Sequence, residues 1–274
     1  MLTSKELADW NNDGFILIRG FVPPEVGAMM SHELVAAIRR EPISKHLGKP
    51  MWATGEGMLI QPEAQAINGN VSGDMPEDIV AKAFNAHLFG TTGEFAISKR
   101  CGDIVEELLG VEASVFQSMF ILKNPGAWGQ PWHQDEYYFE FDRGPQIGLW
   151  LAISEATLKN GCLSVLPGSH KGEVAEHGPD KRPDSNYGYR EVDGIDDSTA
   201  VPVLMSPGDL LVFHSRLLHR SVDNCGTGRR EAMVLHYAAT ASVNMAPEKT
   251  RALQEKIYRW IPVQTFKSPA LADA

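Results

Sequence analysis

The sequence predicts a mainly β domain with flanking helices, and two observations indicate this class. From Ser114 onward the chain consists of short runs rich in β-branched and aromatic residues, separated by Gly, Pro and Asn. The preceding residues show the apolar spacing of amphipathic helices. A chain of 274 residues forms one large core without needing a second domain. We therefore predict a single domain over residues 1–274.

The N-terminal part, residues 1–113, is expected to be mostly helical and to support the β core. Thr3 to Glu6 has the pattern of a capping box, in which a hydroxyl residue and a glutamate satisfy the first amides of a helix. Residues 41–75 are rich in Gly, Pro and polar side chains, which predicts loop. Apolar residues at helical spacing predict helices over 3–12, 25–40, 79–88 and 94–109.

The β core is predicted over residues 114–240, followed by a C-terminal tail over 241–274. Eight short strands suit a double-stranded β-helix, the jelly-roll or cupin-like architecture. We expect them at 114–123, 132–140, 146–153, 162–166, 201–205, 209–214, 217–222 and 230–239.

Residues 171–200 carry neither helical nor strand periodicity. Loops of this length inside compact domains are usually either functional lids or segments without a fixed structure. We interpret the segment as a lid over the site, with a mobile surface insertion of no role as the alternative. Its candidate substrate contacts are His177, Tyr187, Tyr189 and Arg190.

Composition excludes several function classes. The net charge of -10 argues against a nucleic-acid partner, because phosphate-binding surfaces concentrate Lys and Arg. No apolar run reaches the length of a membrane helix, and the first residues do not have the plan of a signal peptide. Cys101, Cys162 and Cys225 form no paired framework, which suits a reducing compartment. We expect a cytoplasmic protein that acts on a small molecule; its oligomeric state stays open.

The motif Trp132-His133-Gln134-Asp135-Glu136 is the strongest functional signal. In an extended strand, side chains two positions apart project from the same face. His133 and Asp135 would therefore point together, while Gln134 would turn away and support the ligand strand. A second histidine would complete the two-histidine, one-carboxylate triad of non-haem Fe(II) oxygenases, which leaves coordination positions open.

The third ligand is either His219 or His214, which stand on one apolar stretch. Residues 209–222 and 229–237 flank a turn-rich hexapeptide, so we predict that they pair as an antiparallel hairpin. That pairing places His219 nearly opposite Arg230. An arginine there would hold the far carboxylate of a dicarboxylate cosubstrate with a planar, two-pronged fork. His219 is therefore the choice.

These residues resemble the phytanoyl-CoA dioxygenase family of Fe(II)- and 2-oxoglutarate-dependent oxygenases. Ordered matches of this kind are more specific than a single His-x-Asp. The resemblance runs through most of the chain, in Asp13–Phe21, Ser118–Gly126, Trp132–Phe139, Asn160–Lys171 and Pro207–Asp209.

The resemblance implies a role for each matching residue. His133, Asp135 and His219 are the implied iron ligands, and Arg230 is the implied clamp for the carboxylate of 2-oxoglutarate. The other implied cosubstrate contacts are Met119, Trp150 and either Lys82 or Asn85. Ala232 stands where many members of the wider superfamily have a hydroxyl, and Tyr137 or Ser221 is expected to compensate.

The expected function is that of a dioxygenase using iron, 2-oxoglutarate and dioxygen to hydroxylate a small organic substrate. The resemblance implies decarboxylation of 2-oxoglutarate to succinate and CO2. Halogenating relatives replace the metal-binding carboxylate, and Asp135 is present here, which favours hydroxylation or a related oxidation. The alternative is a jelly-roll protein that binds metal or 2-oxoglutarate without catalysis. For the remaining apolar or buried candidates we expect packing roles in the core: His170, His214, His236, Trp132 and Phe139.

Overall fold

The computed structural model describes residues 1–40, 51–55, 57–67, 73–182 and 188–264. Helices in this part of the chain are α1 Ser4–Asp13, α2 Pro24–Arg39, α3 Ala64–Ile67, α4 Gly90–Ala96, α5 Lys99–Leu109 and α6 Glu248–Gln254. Strands are β1 Phe15–Ile18, β2 Trp52–Ala53, β3 Leu59–Pro62, β4 Val80–Phe84, β5 Ala113–Lys123, β6 Ile147–Ala152, β7 Leu163–Val165, β8 Gly178–Pro179, β9 Arg190–Glu191, β10 Val201–Val203, β11 Leu210–His214, β12 His219–Ser221, β13 Arg230–Ala239 and β14 Ile261–Pro262.

Two antiparallel sheets form the framework. The large sheet has the order β1-β11-β6-β13-β5-β4-β3-β2, with β14 beside β5. The small sheet has the order β10-β7-β12. Trp150 and Val234 of the large sheet pack in one buried cluster with Val165 and Val203 of the small sheet. The sheets therefore face each other across a shared core, which is the architecture of a double-stranded β-helix.

The outer face of the large sheet is covered by helices. Met233 and Leu235 of β13 pack in a second cluster with Leu34 of α2 and Ile104 of α5, while Val234 between them points to the inner core. This alternation follows from the two-residue period of a strand. Each fully buried side chain of this type contributes roughly 1.5–3 kcal/mol to folding.

Most of the predicted elements are present. Thr3 caps α1 as expected: its hydroxyl accepts from the amide of Glu6 at 3.2 Å, and the Glu6 carboxylate accepts from the Thr3 amide at 2.7 Å. The strand prediction at 230–239 coincides with β13. The helix predicted over 94–109 is interrupted, because α4 ends before α5 begins at Lys99.

The prediction of helix over 79–88 is wrong. Val80–Phe84 forms β4, which pairs with β3 and β5 and is buried along its whole length. A short apolar run covered on both faces has no distinguishing period, so periodicity does not separate strand from helix. The N-terminal part is thus less helical than predicted, since it adds β1 to β4 to the large sheet. Within the loop predicted at 41–75, the described residues form β2, β3 and α3; residues 41–50, 56 and 68–72 lie outside the described part.

The predicted hairpin between residues 209–222 and 229–237 is also wrong. β11 pairs with β1 and β6 of the large sheet, whereas β12 pairs with β7 of the small sheet. β13 returns to the large sheet between β5 and β6. The chain therefore crosses from the large sheet to the small sheet after β11 and back after β12. Each of these strands pairs with strands that are distant in the sequence.

The strand predicted at 132–140 is replaced by a bridge and a turn of 3-10 helix. His133 pairs with His219 in an isolated antiparallel bridge, and Asp135–Tyr138 forms the 3-10 turn. None of the described helices is both long and apolar enough to cross a lipid bilayer.

Candidate metal and cosubstrate site

A cavity of about 920 Å³ lies between the two sheets. It is lined from the large sheet by strands β4, β5, β6 and β13, and from the small sheet by β7 and β12. Of the residues predicted to form the site, the structure places these on its wall: Lys82, Met119, His133, Asp135, Tyr137, Trp150, Tyr189, Arg190, His219, Ser221 and Arg230.

The three predicted metal ligands meet at one point of this cavity. The backbone amide of His133 donates to the carbonyl of His219 at 3.0 Å, and the amide of His219 donates back at 3.1 Å. These two hydrogen bonds hold the two imidazoles side by side, with ring centroids 4.1 Å apart. One ligand atom from each of His133, Asp135 and His219 lies within 4.8 Å of the others, and all three residues are buried.

Backbone carbonyls fix the orientation of both imidazoles. Nδ1 of His133 lies 2.8 Å from the Pro131 carbonyl, and Nδ1 of His219 lies 2.9 Å from the Leu217 carbonyl. A carbonyl only accepts, so each Nδ1 carries the hydrogen and each Nε2 keeps its lone pair. Burial lowers the pKa of His219 to about 4, which keeps the ring neutral at physiological pH. Two Nε2 atoms are thus available to a metal.

The carboxylate of Asp135 completes the set. Oδ1 lies 3.5 Å from Nε2 of His133 and 3.8 Å from Nε2 of His219, while Oδ2 lies 2.9 Å from Nε2 of His236. Burial raises the pKa of Asp135, but the neighbouring imidazoles, including the hydrogen bond from Nε2 of His236, outweigh this effect and hold the pKa well below its usual value. The carboxylate is therefore ionised.

Gln134 supports this segment, as expected. Its side-chain amide donates to the carbonyls of Arg216 and Glu173, and its side-chain oxygen accepts from the amide of Ala175. Its backbone amide donates to Nε2 of His177 at 2.9 Å. The side chain of Gln134 therefore points away from the cavity and connects the segment that carries His133 and Asp135 to the neighbouring loops.

Arg230 is a buried cation on the cavity wall. Its guanidinium lies 5.3 Å from the centre of the Trp150 ring, and Nη2 donates to the carbonyl of Gly161 at 3.2 Å. Within the described part of the chain, Nε and Nη1 have no hydrogen-bond partner. Burial lowers the pKa of Arg230 to about 10, so it stays charged at neutral pH. A buried charge left without partners is costly, and an anion in the cavity would satisfy it.

The weaker predictions divide into two groups. Met119 and Trp150 stand opposite Val234 on either side of β13, on the cavity wall. The ammonium of Lys82 donates to the side-chain oxygen of Gln130 at 3.1 Å, and burial lowers its pKa to about 8. Asn85 does not line the cavity, since its amide donates to the carbonyls of Gly57 and Lys256. Of the two, Lys82 is the residue on the cavity wall, and its contact with 2-oxoglutarate stays a prediction.

Ser221 lines the cavity beside Lys123. Its hydroxyl accepts from the backbone amide of Gln130 and from the ammonium of Lys123, each at 3.1 Å. Ala232 is fully buried in the core between the sheets and presents no hydroxyl.

The described residues of the predicted lid segment include two short strands and part of the cavity wall. β8 pairs with β9, contrary to the expectation of a segment without strands, and Tyr189 and Arg190 line the cavity. The ring of His177 stacks on that of Tyr137 with centroids 4.2 Å apart. Tyr187 lies outside the described residues.

Sequence reasoning missed several residues of the cavity wall, among them His236 and Glu63. His236, expected to be a core histidine, contacts Asp135, and Glu63 lines the cavity with a pKa that burial raises to about 8. The strand period offered a signal for His236, because Arg230, Val234 and His236 occupy alternate positions of β13 and all line the cavity. No comparable signal existed for Glu63. His214, by contrast, lies outside the cavity against Trp10 and His170, as expected.

Comparison with known proteins identifies the family. A family model described as phytanoyl-CoA dioxygenase (PhyH) matches residues 10–232. This chain belongs to the phytanoyl-CoA dioxygenase family.

Relatives within the family differ in how much of the chain they match. Phytanoyl-CoA dioxygenase 1 from Oryza sativa subsp. japonica is 33% identical over 166 residues, which cover 60% of this chain and only 58% of the rice protein. Phytanoyl-CoA dioxygenase domain-containing protein 1 from Danio rerio is 22% identical over 288 residues, covering 94% of this chain and 97% of that protein.

Solved structures show the same fold. EctD from S. alaskensis, crystallised with 2-oxoglutarate and 5-hydroxyectoine, has a TM-score of 0.65 and 20% identity, covering 88% of this chain and 77% of that one. The predicted double-stranded β-helix fold and the predicted family are therefore confirmed. The predicted enzyme class, a dioxygenase, is that of the family. EctD was crystallised with 2-oxoglutarate, and the described residues of this chain include a His-Asp-His group that could hold a metal ion.

Proposed function

We propose that this chain is an Fe(II)- and 2-oxoglutarate-dependent dioxygenase that hydroxylates a small organic substrate. In that reaction 2-oxoglutarate is decarboxylated to succinate and CO2. One observation carries the proposal: two imidazoles, one carboxylate and a guanidinium line the same cavity. Two nitrogens of that guanidinium, Nε and Nη1, have no hydrogen-bond partner within the described part of the chain. The whole of residues 1–274 would act as one oxygenase domain.

His133, Asp135 and His219 are the proposed iron ligands. Two neutral nitrogens and one carboxylate oxygen suit Fe(II), and such a set leaves coordination positions open for exogenous ligands. Iron with 2-oxoglutarate, when bound, supplies the activation of dioxygen, whereas the protein supplies geometry, electrostatics and exclusion of water. The two backbone hydrogen bonds between His133 and His219 give the rigidity that this role requires.

Arg230 is the proposed clamp for the far carboxylate of 2-oxoglutarate. Its free Nε and Nη1 form the edge of a guanidinium that matches a carboxylate with two parallel hydrogen bonds. This edge is unpartnered among the described residues, and its burial strengthens the attraction for an anion. Lys82 and Ser221 would add further donors, while Met119 and Trp150 would form the apolar wall.

The substrate is proposed to be a small molecule bound in the rest of the cavity. A volume of about 920 Å³ lies within the usual range of roughly 300–1,000 Å³ for small-molecule sites. Tyr137, Tyr189 and Arg190, which line the cavity, would contact the substrate and exclude water. A lipid or acyl thioester, an amino acid or amine, a phosphonate and a secondary metabolite all stay candidates.

An anaerobic titration of the apoprotein with Fe(II) and 2-oxoglutarate tests the proposal. The complex should give the visible metal-to-ligand charge-transfer band of a chelated 2-oxo acid. Asp135→Ala should lose the band, and Arg230→Ala should require much more 2-oxoglutarate to reach it. Succinate release and oxygen consumption with a panel of candidate substrates would then measure turnover.

Two results would overturn the proposal. A folded wild type that gives no band fails at the first step. A wild type that gives the band but releases no succinate with any substrate class supports the alternative, a binding protein without catalysis.

A further inference from the structure

His236 contacts one oxygen of the carboxylate that belongs to the candidate metal triad. Its Nε2 lies 2.9 Å from Oδ2 of Asp135, and the side chain is only 1% exposed. We propose that His236 is a positioning residue that makes Asp135 bind the metal through Oδ1 alone. This inference rests on the proposed function, because it concerns the same metal site.

The two carboxylate oxygens have different surroundings. Oδ1 faces the triad, at 3.5 Å from Nε2 of His133 and 3.8 Å from Nε2 of His219. Oδ2 is turned towards His236. An ionised carboxylate only accepts hydrogen bonds, so Nε2 of His236 carries the hydrogen and donates it. Oδ2 is thereby engaged, and Oδ1 is the oxygen left for a metal.

One-oxygen binding has a consequence for the chemistry. A triad that uses one atom per residue would leave coordination positions open to other ligands. A second oxygen from Asp135 would take one of those positions. The hydrogen bond from His236 therefore preserves the positions on which the proposed reaction depends.

Aromatic packing holds His236 in place. Its ring centroid lies 4.9 Å from that of Phe139, 6.2 Å from that of Phe116 and 6.4 Å from that of Phe213. Gly148, opposite His236 on β6, leaves room for this arrangement, because a Cβ there would come within 2.2 Å of the Phe213 ring. These ring contacts fix the direction of the imidazole, so a side chain without a donor at position 236 would remove the hydrogen bond to Oδ2.

Metal binding in four variants tests the inference without any turnover. His236→Leu removes the donor. His236→Gln keeps an amide N–H near the position of Nε2, whereas the shorter side chain of His236→Asn does not reach Oδ2. His214→Gln is the matched control, since His214 is a histidine of the large sheet that lies outside the cavity. Co(II) affinity and the visible spectrum of the bound Co(II) are measured for each folded variant.

The leucine and asparagine variants should lose about 10- to 100-fold in Co(II) affinity and show a changed Co(II) spectrum. The glutamine variant and the His214→Gln control should stay within about threefold of the wild type. A purely structural role for His236 would lower the melting temperature of the leucine, asparagine and glutamine variants alike and leave metal affinity and spectrum unchanged. That result overturns the inference.

The contrast between glutamine and asparagine keeps the test decisive if the leucine variant does not fold. Equal affinities in those two variants contradict the inference. If the wild type binds Co(II) but does not turn over 2-oxoglutarate, the proposed function is wrong. The Co(II) affinities of the variants then still decide whether His236 positions Asp135. If the wild type binds no metal, both the proposed function and the positioning role of His236 are wrong.

Discussion

His219 and Arg230 face one cavity from opposite sheets, although they are close in the sequence. His219 begins β12 and stands opposite Val165 of the small sheet, whereas Arg230 begins β13 and stands opposite Lys123 of the large sheet. The proposed metal ligand and the proposed cosubstrate clamp are therefore held by different sheets. Packing between the two sheets therefore fixes the distance between His219 and Arg230.

Replacing His219 should abolish tight metal binding, whereas replacing His214 should not. His219→Ala removes one of the three converging ligand atoms, and we expect Fe(II) or Co(II) affinity to fall by at least about 100-fold. His214 lies outside the cavity, so His214→Ala should change affinity by less than about threefold. Isothermal titration of both apoproteins checks this. Equal losses would mean that the wrong histidine is assigned.

Replacing Arg230 should weaken 2-oxoglutarate binding and stabilise the empty protein. Arg230→Met removes the guanidinium and should cost about 2–5 kcal/mol of cosubstrate binding. Without ligand, the same change removes a buried cation whose Nε and Nη1 lack partners among the described residues, so the melting temperature should rise.

Arg229→Met is the matched control for Arg230→Met. Arg229 contacts Asp78, Glu231 and Asn124 and does not line the cavity. The control should keep 2-oxoglutarate affinity and lower the melting temperature, because it loses these ion pairs. If both arginine variants bind 2-oxoglutarate like the wild type, Arg230 is not the clamp.

Lys82 and Asn85 should respond differently to substitution. Lys82→Met removes a buried ammonium from the cavity wall and should raise the dissociation constant of 2-oxoglutarate by about tenfold or more. Asn85 has a φ of 66°, so Asn85→Gly keeps the backbone conformation while removing the bonds to Gly57 and Lys256. This variant should melt earlier and bind 2-oxoglutarate normally. Fluorescence titration and thermal melts of both variants decide the assignment.

Stability should fall as pH rises through the range in which Glu63 ionises. Burial raises the pKa of Glu63 to about 8, above the ordinary value of 4.5. Between these two values the folded state binds more protons than the unfolded state, so this residue makes the free energy of unfolding decrease with pH. Its contribution is fully present below pH 4.5 and is lost as pH approaches 8.

Glu63→Gln should remove this dependence. The difference in unfolding free energy between variant and wild type should grow in favour of the variant from pH 5 to 8, by up to a few kcal/mol. Burial lowers the pKa of Lys82 to about 8, so its own slope begins only above that pH and has the opposite sign. Urea denaturation of both proteins across this range measures the difference. A constant difference would show that Glu63 is ionised throughout.

Local signals in the sequence determined the elements whose bounds depend on nearby residues. The capping box at Thr3 predicted the start of α1, and the β-rich run at 230–239 predicted β13. The spacing of His133 and Asp135 placed two ligands together, although the segment between them is not a strand. These features depend on hydrogen bonds and side-chain directions within a few residues, which the sequence records directly.

Tertiary structure decided which segments pair and what each buried polar group contacts. β12 joined the small sheet instead of pairing with β13, and β4 became a strand because β3 and β5 cover its edges. The contact between His236 and Asp135 joins two segments far apart in the chain. Strand partners and buried contacts are chosen by the total burial and hydrogen bonding of the whole fold, and no local pattern carries that information.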